Sequence, residues 1–390
     1  VTERLYYRDS YLTTFHATPV GQSDGGRRVY LDRTAFYPTS GGQPFDTGRL
    51  NGIRVTEVVD EDDRIAHLLE TPLPPADTVK GTIDWARRFD FMQQHTGQHL
   101  LSAVLADQLG YQTVSVHFGD DAATLDLDAG TISPEEIRQA EARANAVITE
   151  NRAVTVTFED GAIGLRKATE RSGVLRIVTI ADLDRSACGG THVRATGEIG
   201  ALLVRKTERV KKQVRLEFLC GGRAVRRARA DFEILSQLAG AASTGVDDLP
   251  SLLERQRTEL KAADAARRAM EEELSRFRAR ELYDAATPDD RGRRRILYRA
   301  TGGTAESLRA LGQAVADMPN AVLVAGLPSP PTVLLAASPD LGLDAGRILK
   351  AVLGELGGRG GGTTRLAQGT VSAPADMETA LVNLAGAVRM

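Results

Sequence analysis

An α+β protein built from several domains is what this sequence predicts, on three observations. The first 88 residues are short β-rich runs cut by Gly, Pro and Asp; a helical signal then opens a stretch where strands and helices do not alternate one for one; and apolar strands return after a long helical arm. A chain of 390 residues exceeds one typical core. Its hydrophobic fraction of 42% beside a charged fraction of 26% is that of a water-soluble globular protein.

Within residues 1–88, runs such as RRVYLDRTAFY and IRVTEVV between turn residues predict a small β-barrel-like domain. The second region, 89–228, opens near Asp90 with FMQQHTGQHLLSAVLADQLG, a run of good helix formers closed by Gly110. TVSVHFG and ATLDLD read as a strand pair. Ser133 then caps a helix that has Pro134 in its first position and Glu135 and Glu136 in its first turn. AVTVTFE, VLRIVTI, ALLVRKTERV and QVRLEFL follow as strands, an α+β order and not that of a doubly wound sheet.

Region 229–283 is helical, interrupted at GAASTGVDDLP. Its Leu253, Leu260, Ala263, Met270, Leu274 and Phe277 recur at steps of three, four or seven, the stripe of a coiled-coil arm, although Gln256 and Arg267 break it. Such an arm can join two copies as a homodimer or pack on its own chain. TPDDRGRRR serves as a linker, and 284–390 carries the apolar strands AVLVAGL and TVLLAAS alternating with helices, a small α/β domain. The glycines of GELGGRGGGTTRLAQG would let backbone amides approach a phosphate or another backbone closely, and Arg359 and Arg365 flank them as candidates for nucleic-acid contact. A plain surface loop is the alternative.

No apolar stretch is long enough to span a bilayer, and VTERLYYRDSYL lacks the basic-then-apolar order of a signal peptide, which predicts a cytoplasmic protein without membrane contact. Two cysteines, Cys188 and Cys220, are too few for a disulfide framework and suit a reducing compartment. The net charge of -3 says little, but basic residues cluster in KTERVKKQVR, GGRAVRRAR and RGRRR, where they could neutralise phosphates or simply be solvated.

The sharpest chemical signal is a pair of four-residue spacings. His95 and His99 in QHTGQHLLSAVL fall on one face of the predicted helix, and Cys188 and His192 in SACGGTHVR are also four apart, with Gly189 and Gly190 free to form a tight turn between them. Three imidazoles and a thiolate are a ligand set for tetrahedral zinc, one ion per chain. This is not an HExxH protease, because Thr96 stands where its glutamate base would be. A structural ion with a closed shell and a catalytic ion with an open position both remain compatible.

HTGQH, CGGTH and the upstream DRTAFYPTSGGQPFDTG together resemble the editing module of alanyl-tRNA synthetase and the free-standing AlaX-type alanyl-tRNA editing proteins. The resemblance continues through GEIGALLV and RLEFLCGGRA, and GGRGGG is similar to the C-terminal domain with which the synthetases hold tRNA. With the β-rich region starting at position 1, it looks like the long free-standing form, acting in trans. The resemblance implies a zinc-dependent hydrolase that deacylates tRNA(Ala) mischarged with serine, with glycine as an open alternative.

It further implies that His95, His99, Cys188 and His192 hold zinc, that Thr34 recognises the serine hydroxyl, and that Gly41, Gly42 and Gln43 bring the glycine-rich loop to the site. Thr39-Ser40 depart from the Glu-Gly of many relatives, which leaves the exact amino-acid preference open. Discrimination of serine from alanine would come from polar groups left unpaired when the smaller residue enters. Arg205, Lys206, Lys211, Lys212 and Arg215 follow CGGTH and are candidates, as a patch, for the acceptor stem. A non-catalytic RNA-binding protein with structural zinc, or an editing hydrolase for another aminoacyl-tRNA, are the alternatives.

Overall fold

The computed structural model describes residues 1–161, 163–167 and 173–389, and the chain divides into two compact units, Val1–Ala242 and Ser243–Met390. The first unit begins with a seven-stranded antiparallel sheet ordered Thr14–Ala17, Val79–Ile83, Gly48–Leu50, Ile53–Glu61, Arg64–Leu69, Arg28–Leu31 and Pro19–Ser23. Phe15, Leu31, Phe36, Leu50, Val55 and Ile65 form the core it covers. Asn51 and Gly52, with φ of 47° and 84°, make the two-residue turn whose twist suits a tight hairpin. The predicted barrel does not close. Its two edge strands, Thr14–Ala17 and Pro19–Ser23, follow one another through Thr18 alone, too short a link to fold one back beside the other.

Helix α1 (Trp85–Leu109) is capped by the Asp84 side chain, which accepts from the Arg87 amide, and ends at Gly110 with φ 71°. It therefore begins at Trp85 and not near Asp90, the cap lying ahead of the apolar run. Helix α2 (Pro134–Glu150) opens on a reciprocal capping box between Ser133 and Glu136. Both helices bury apolar residues in one core with an antiparallel sheet ordered Thr113–Phe118, Ala123–Leu127, Gln213–Cys220 and Leu202–Val210. A second antiparallel sheet, Val154–Asp160, Val174–Ile180 and Asp184–Ala187, adds Val178 and Ile180 to it. The strands expected here from the sequence are formed; Asp184–Ala187, polar and short, was not anticipated. Helix α3 (Gly221–Ala241) follows the last strand.

The N-terminal sheet is tied to α1 by a buried ion pair. Arg88, wholly inside, pairs with Asp46 and donates to the carbonyl oxygens of Ser10 at 2.7 Å and Ala35 at 2.6 Å. Asp46 also accepts from the Tyr37 amide at 2.6 Å, so both partners have their polar capacity used.

The second unit starts with helix α4 (Leu249–Ala285) and has a five-stranded sheet ordered Arg294–Arg299, Ala321–Pro328, Pro331–Ala337, Leu366–Thr370 and Arg359–Gly362. Helix α5 (Ala305–Ala316) crosses between the first two strands, the only parallel pair described in this sheet. Helices α6 (Ala345–Glu355) and α7 (Pro374–Ala387) complete it. Leu323 and Leu327 face a core with α4 and α5, while Val322 and Val324 face one with α6 and α7. Burial on both faces is why these strands read as unbroken apolar runs. The expected alternation with helices gives way here to a hairpin, because only Ser329 and Pro330 separate the strands Ala321–Pro328 and Pro331–Ala337.

On α4, Ala279 is buried, whereas Leu253, Leu260, Met270, Leu274 and Phe277 stay 61% to 69% exposed. The glycine-rich run forms an edge strand. A Cβ on Gly360 would lie 2.7 Å from the Gly369 Cα and 2.7 Å from Leu353 Cδ1, so the glycines serve the close approach of another backbone and a helix.

Candidate functional site

His95 and His99 come from one face of α1, and Cys188 and His192 from the segment after Asp184–Ala187. Their ligand atoms all lie within 4.8 Å of one another, the three histidines buried and the cysteine partly so. Cys188 Sγ is 3.4 Å from His95 Nε2 and 3.3 Å from His192 Nε2.

Each imidazole is held from behind on Nδ1. His95 Nδ1 meets Gln43 Oε1 at 2.8 Å, His99 Nδ1 meets Asp184 Oδ2 at 2.8 Å, and His192 Nδ1 meets Thr96 Oγ1 at 3.2 Å. The network assigns the tautomers. Gln43 gives its amide hydrogens to Thr191 Oγ1 at 2.7 Å, and Thr96 gives its hydroxyl hydrogen to the Met92 carbonyl at 2.8 Å, so Gln43 Oε1 and Thr96 Oγ1 act as acceptors. All three Nδ1 atoms therefore donate, leaving Nε2 as the metal-facing nitrogen. Thr96, in the place of a protease glutamate, is an orienting residue.

Two glycines in these motifs are there for space. A Cβ at Gly190 would overlap His95 and crowd Gln43 Oε1 at 3.1 Å, and one at Gly97 would overlap Cys220 Sγ. Neither has positive φ, so the turn expected around Gly190 does not need left-handed backbone. Gly41 and Gly42 do, with φ of 56° and 86°; they turn the chain between Ser40 and Gln43, whose amides and carbonyls exchange hydrogen bonds at 3.1 and 3.0 Å. That turn delivers Gln43 to His95.

Electrostatics favour a metal site. Burial works against a Cys188 thiolate, but the charge and hydrogen bonds of His95 and His192 hold its pKa well below the ordinary thiol range. Burial, with His95 beside it, pushes His192 down to about 3. At His99 burial also disfavours the proton, yet Asp184 and Cys188 outweigh it and raise the value to about 9, so a bound metal would displace that proton. Arg166 Nε, 2.5 Å from Asp184 Oδ1, balances the carboxylate. Three imidazole nitrogens and one thiolate fit zinc by number and by softness.

A cleft of about 620 Å³ opens on this centre, lined by His95, Gln98, His99, Cys188, Gly41 and Ser115 among others. Thr34 is not among its lining residues. It is fully buried; the Thr34 hydroxyl lies 2.8 Å from His67 Nε2 and accepts from the Phe36 amide at 3.1 Å. His67 Nδ1 faces the Val29 carbonyl at 3.2 Å, which makes Nε2 the acceptor for Thr34.

Burial pushes the His67 pKa from 6.5 down to about 4. Unfolded chains protonate His67 near 6.5 while folded ones resist until about 4, so stability is lost as pH falls through that window, by about 3 kcal/mol. His67→Gln, which can keep both hydrogen bonds, is expected to flatten the fall of the urea midpoint between pH 7 and pH 4.5. Parallel curves for the two proteins would remove His67 from the account.

None of the basic candidates is among the cleft's lining residues. Arg205 pairs with Glu217 at 3.1 Å, Lys206 with Glu208 at 3.5 Å and Arg215 with Asp126 at 2.7 Å, while Lys211 and Lys212 form the exposed tip of the hairpin Leu202–Val210 and Gln213–Cys220. In the second unit Arg359 is exposed on the glycine edge strand, and Arg365 pairs with Asp317 at 2.5 Å. No described helix is long and apolar enough to cross a membrane.

Within this α+β unit, whose His and Cys cluster could hold a metal at a cleft, residues 175–216 match the family described as the threonyl and alanyl tRNA synthetase second additional domain. Over nearly its whole length the chain is similar to alanyl-tRNA editing protein AlaX-L of Pyrococcus horikoshii, 32% identical over 96% of this chain and 95% of that one. The chain belongs to the alanyl-tRNA editing protein family. It is also 33% identical to alanyl-tRNA editing protein Aarsd1 of Bos taurus over 62% of this chain and 60% of that one. With alanine–tRNA ligase of Pyrococcus abyssi it shares 32% identity over 95% of this chain, spanning 42% of the ligase.

Proposed function

We propose that this protein is a zinc-dependent hydrolase that deacylates Ser-tRNA(Ala) in trans. The observation that carries the reading is the convergence of His95, His99, Cys188 and His192 at a cleft, with each imidazole oriented through Nδ1. When bound there, zinc supplies a positive centre that fixes the substrate's amino group or acidifies a water.

The chain's own residues do the rest. Gln43, Asp184 and Thr96 hold the imidazoles in register, and the turn at Gly41 and Gly42 brings one wall of the cleft against the centre. The 3′ end of the tRNA enters the cleft as a single strand. We place the acceptor stem on the cationic hairpin tip at Lys211 and Lys212, the candidates without an ion pair among the described residues, with Arg359 as a further contact on the second unit. The exposed apolar stripe of α4 is where we place a second copy.

Cys188→Ala is expected to lose stoichiometric zinc, measured by elemental analysis, and with it the hydrolysis of Ser-tRNA(Ala), while Ala-tRNA(Ala) is spared by the wild-type chain. Zinc retained by the variant would remove Cys188 from the ligand set. Four protein donors can also close a metal's shell, which favours a purely structural ion as the second reading. Metal removal that unfolds the first unit, in a chain that binds tRNA but hydrolyses neither ester, would decide for that reading.

A further inference from the structure

We propose that Gln98 reads the side-chain hydroxyl of the esterified amino acid, its amide oxygen accepting the serine hydrogen; the assignment rests on the editing reading above. Gln98 lies between the two histidines' turns on α1 and lines the cleft with both of them. It is only 7% exposed. Its amide nitrogen donates to Ser102 Oγ at 2.8 Å, and Ser102 is in turn bonded to Thr113 Oγ1 at 2.7 Å on the facing strand. This chain fixes the amide's orientation. The amide oxygen has no partner among the described residues, yet it is not sealed away, so its free valence belongs to the cleft.

Several other polar groups of the cleft are committed. Tyr37 donates to the Ser40 carbonyl at 2.9 Å, Ser115 to Asp126 at 2.6 Å, Arg4 to Asp60 at 2.7 Å and Arg166 to Asp184 at 2.5 Å. Gln43 has used both ends of its amide. Thr34, the residue expected to read the hydroxyl, has its hydrogen on His67 and no exposed surface. Gln98 is thus a prepositioned acceptor beside the metal-facing histidines. Serine satisfies it. Alanine strips its water and returns nothing, which is how a site that cannot exclude the smaller residue by size can still reject it.

The test compares kcat/KM for Ser-tRNA(Ala) and Ala-tRNA(Ala) in the full-length, zinc-loaded wild type, Gln98→Met and Gln98→Glu. Methionine matches the volume of glutamine without its acceptor. The expected result is stoichiometric zinc in both variants, a serine-over-alanine ratio lowered by about 10- to 100-fold in Gln98→Met, and a ratio largely restored in Gln98→Glu, which can still accept. Ser102→Ala keeps Gln98 but unties its amide; a smaller fall in the same ratio is expected, and this variant decides if Gln98→Met loses zinc. An unchanged ratio in Gln98→Met and Ser102→Ala, with a discriminating wild type, overturns the assignment alone. A ratio lost in Thr34→Val and kept in Gln98→Met would move recognition to Thr34. A wild-type chain that spares Ser-tRNA(Ala) overturns the editing reading itself and the assignment with it.

Discussion

Replacing Gly190 by alanine should abolish metal binding while leaving the fold standing. The added methyl would occupy the space of the His95 ring and press on Gln43 Oε1 at 3.1 Å, so the ring must leave its position or the 188–192 segment must back away. Either movement separates Cys188 from His95, which now stand 3.4 Å apart across the site. Disturbing a single orienting contact at a metal site commonly lowers affinity 10- to 100-fold, and here a ligand is displaced directly, so a loss of at least about 100-fold is expected. Titration with a chromophoric zinc chelator reads the affinity, and far-UV circular dichroism reads the fold. Gly189→Ala is the control: its Cβ would meet nothing nearer than the Tyr7 hydroxyl at 3.6 Å. Equal zinc affinity in the two variants would show that the crowding at Gly190 is relieved without moving a ligand.

Asp46→Ala is the largest expected loss of stability. It leaves the Arg88 guanidinium buried with its counter-ion gone, keeping only the Ser10 and Ala35 carbonyls at 2.7 and 2.6 Å. An uncompensated buried charge of this kind costs about 3–5 kcal/mol. The damage also reaches the site, because Asp46 accepts from the Tyr37 amide and so anchors the stretch that carries the Gly41–Gly42 turn and Gln43. Urea unfolding should show a strongly lowered midpoint. Replacing both members, as in Arg88→Met with Asp46→Leu, should recover much of the loss, since no charge is then stranded. A single-variant loss below about 1 kcal/mol would mean that water reaches Arg88 in place of the carboxylate.

The four converging residues were readable as a candidate cluster because both pairs obey a local rule, four residues apart, that needs no knowledge of the fold. The partners behind them were not. Asp184 sits in ADLDRSA, a stretch with no distinguishing pattern, and acquires its role only when a short strand carries it to His99, 85 residues away in the chain. Thr96 was visible only as the absence of a glutamate; its bond to His192 spans 96 residues. Helix α2 was legible to its cap because Ser133, Pro134 and Glu136 act within one turn. The barrel was overread, since alternation reports a buried face and is silent on whether a sheet's edges meet. The glycine run near the end was ambiguous for a related reason. Low strand propensity cannot reveal that Gly369 and Leu353 leave room for nothing larger at Gly360.

The candidate ligand set is divided between α1 and a segment that begins 79 residues after it ends, with Gln43 contributed from before the helix. During synthesis, therefore, the first two histidines emerge long before their partners, and the centre cannot exist until His192 has cleared the ribosome and three separate stretches have docked. A prematurely ended chain stopping anywhere short of that residue has at most three of the four converging side chains. It lacks the full cluster on which the proposed deacylation depends, so on that reading mischarged Ser-tRNA(Ala) is left untouched by unfinished copies of the protein.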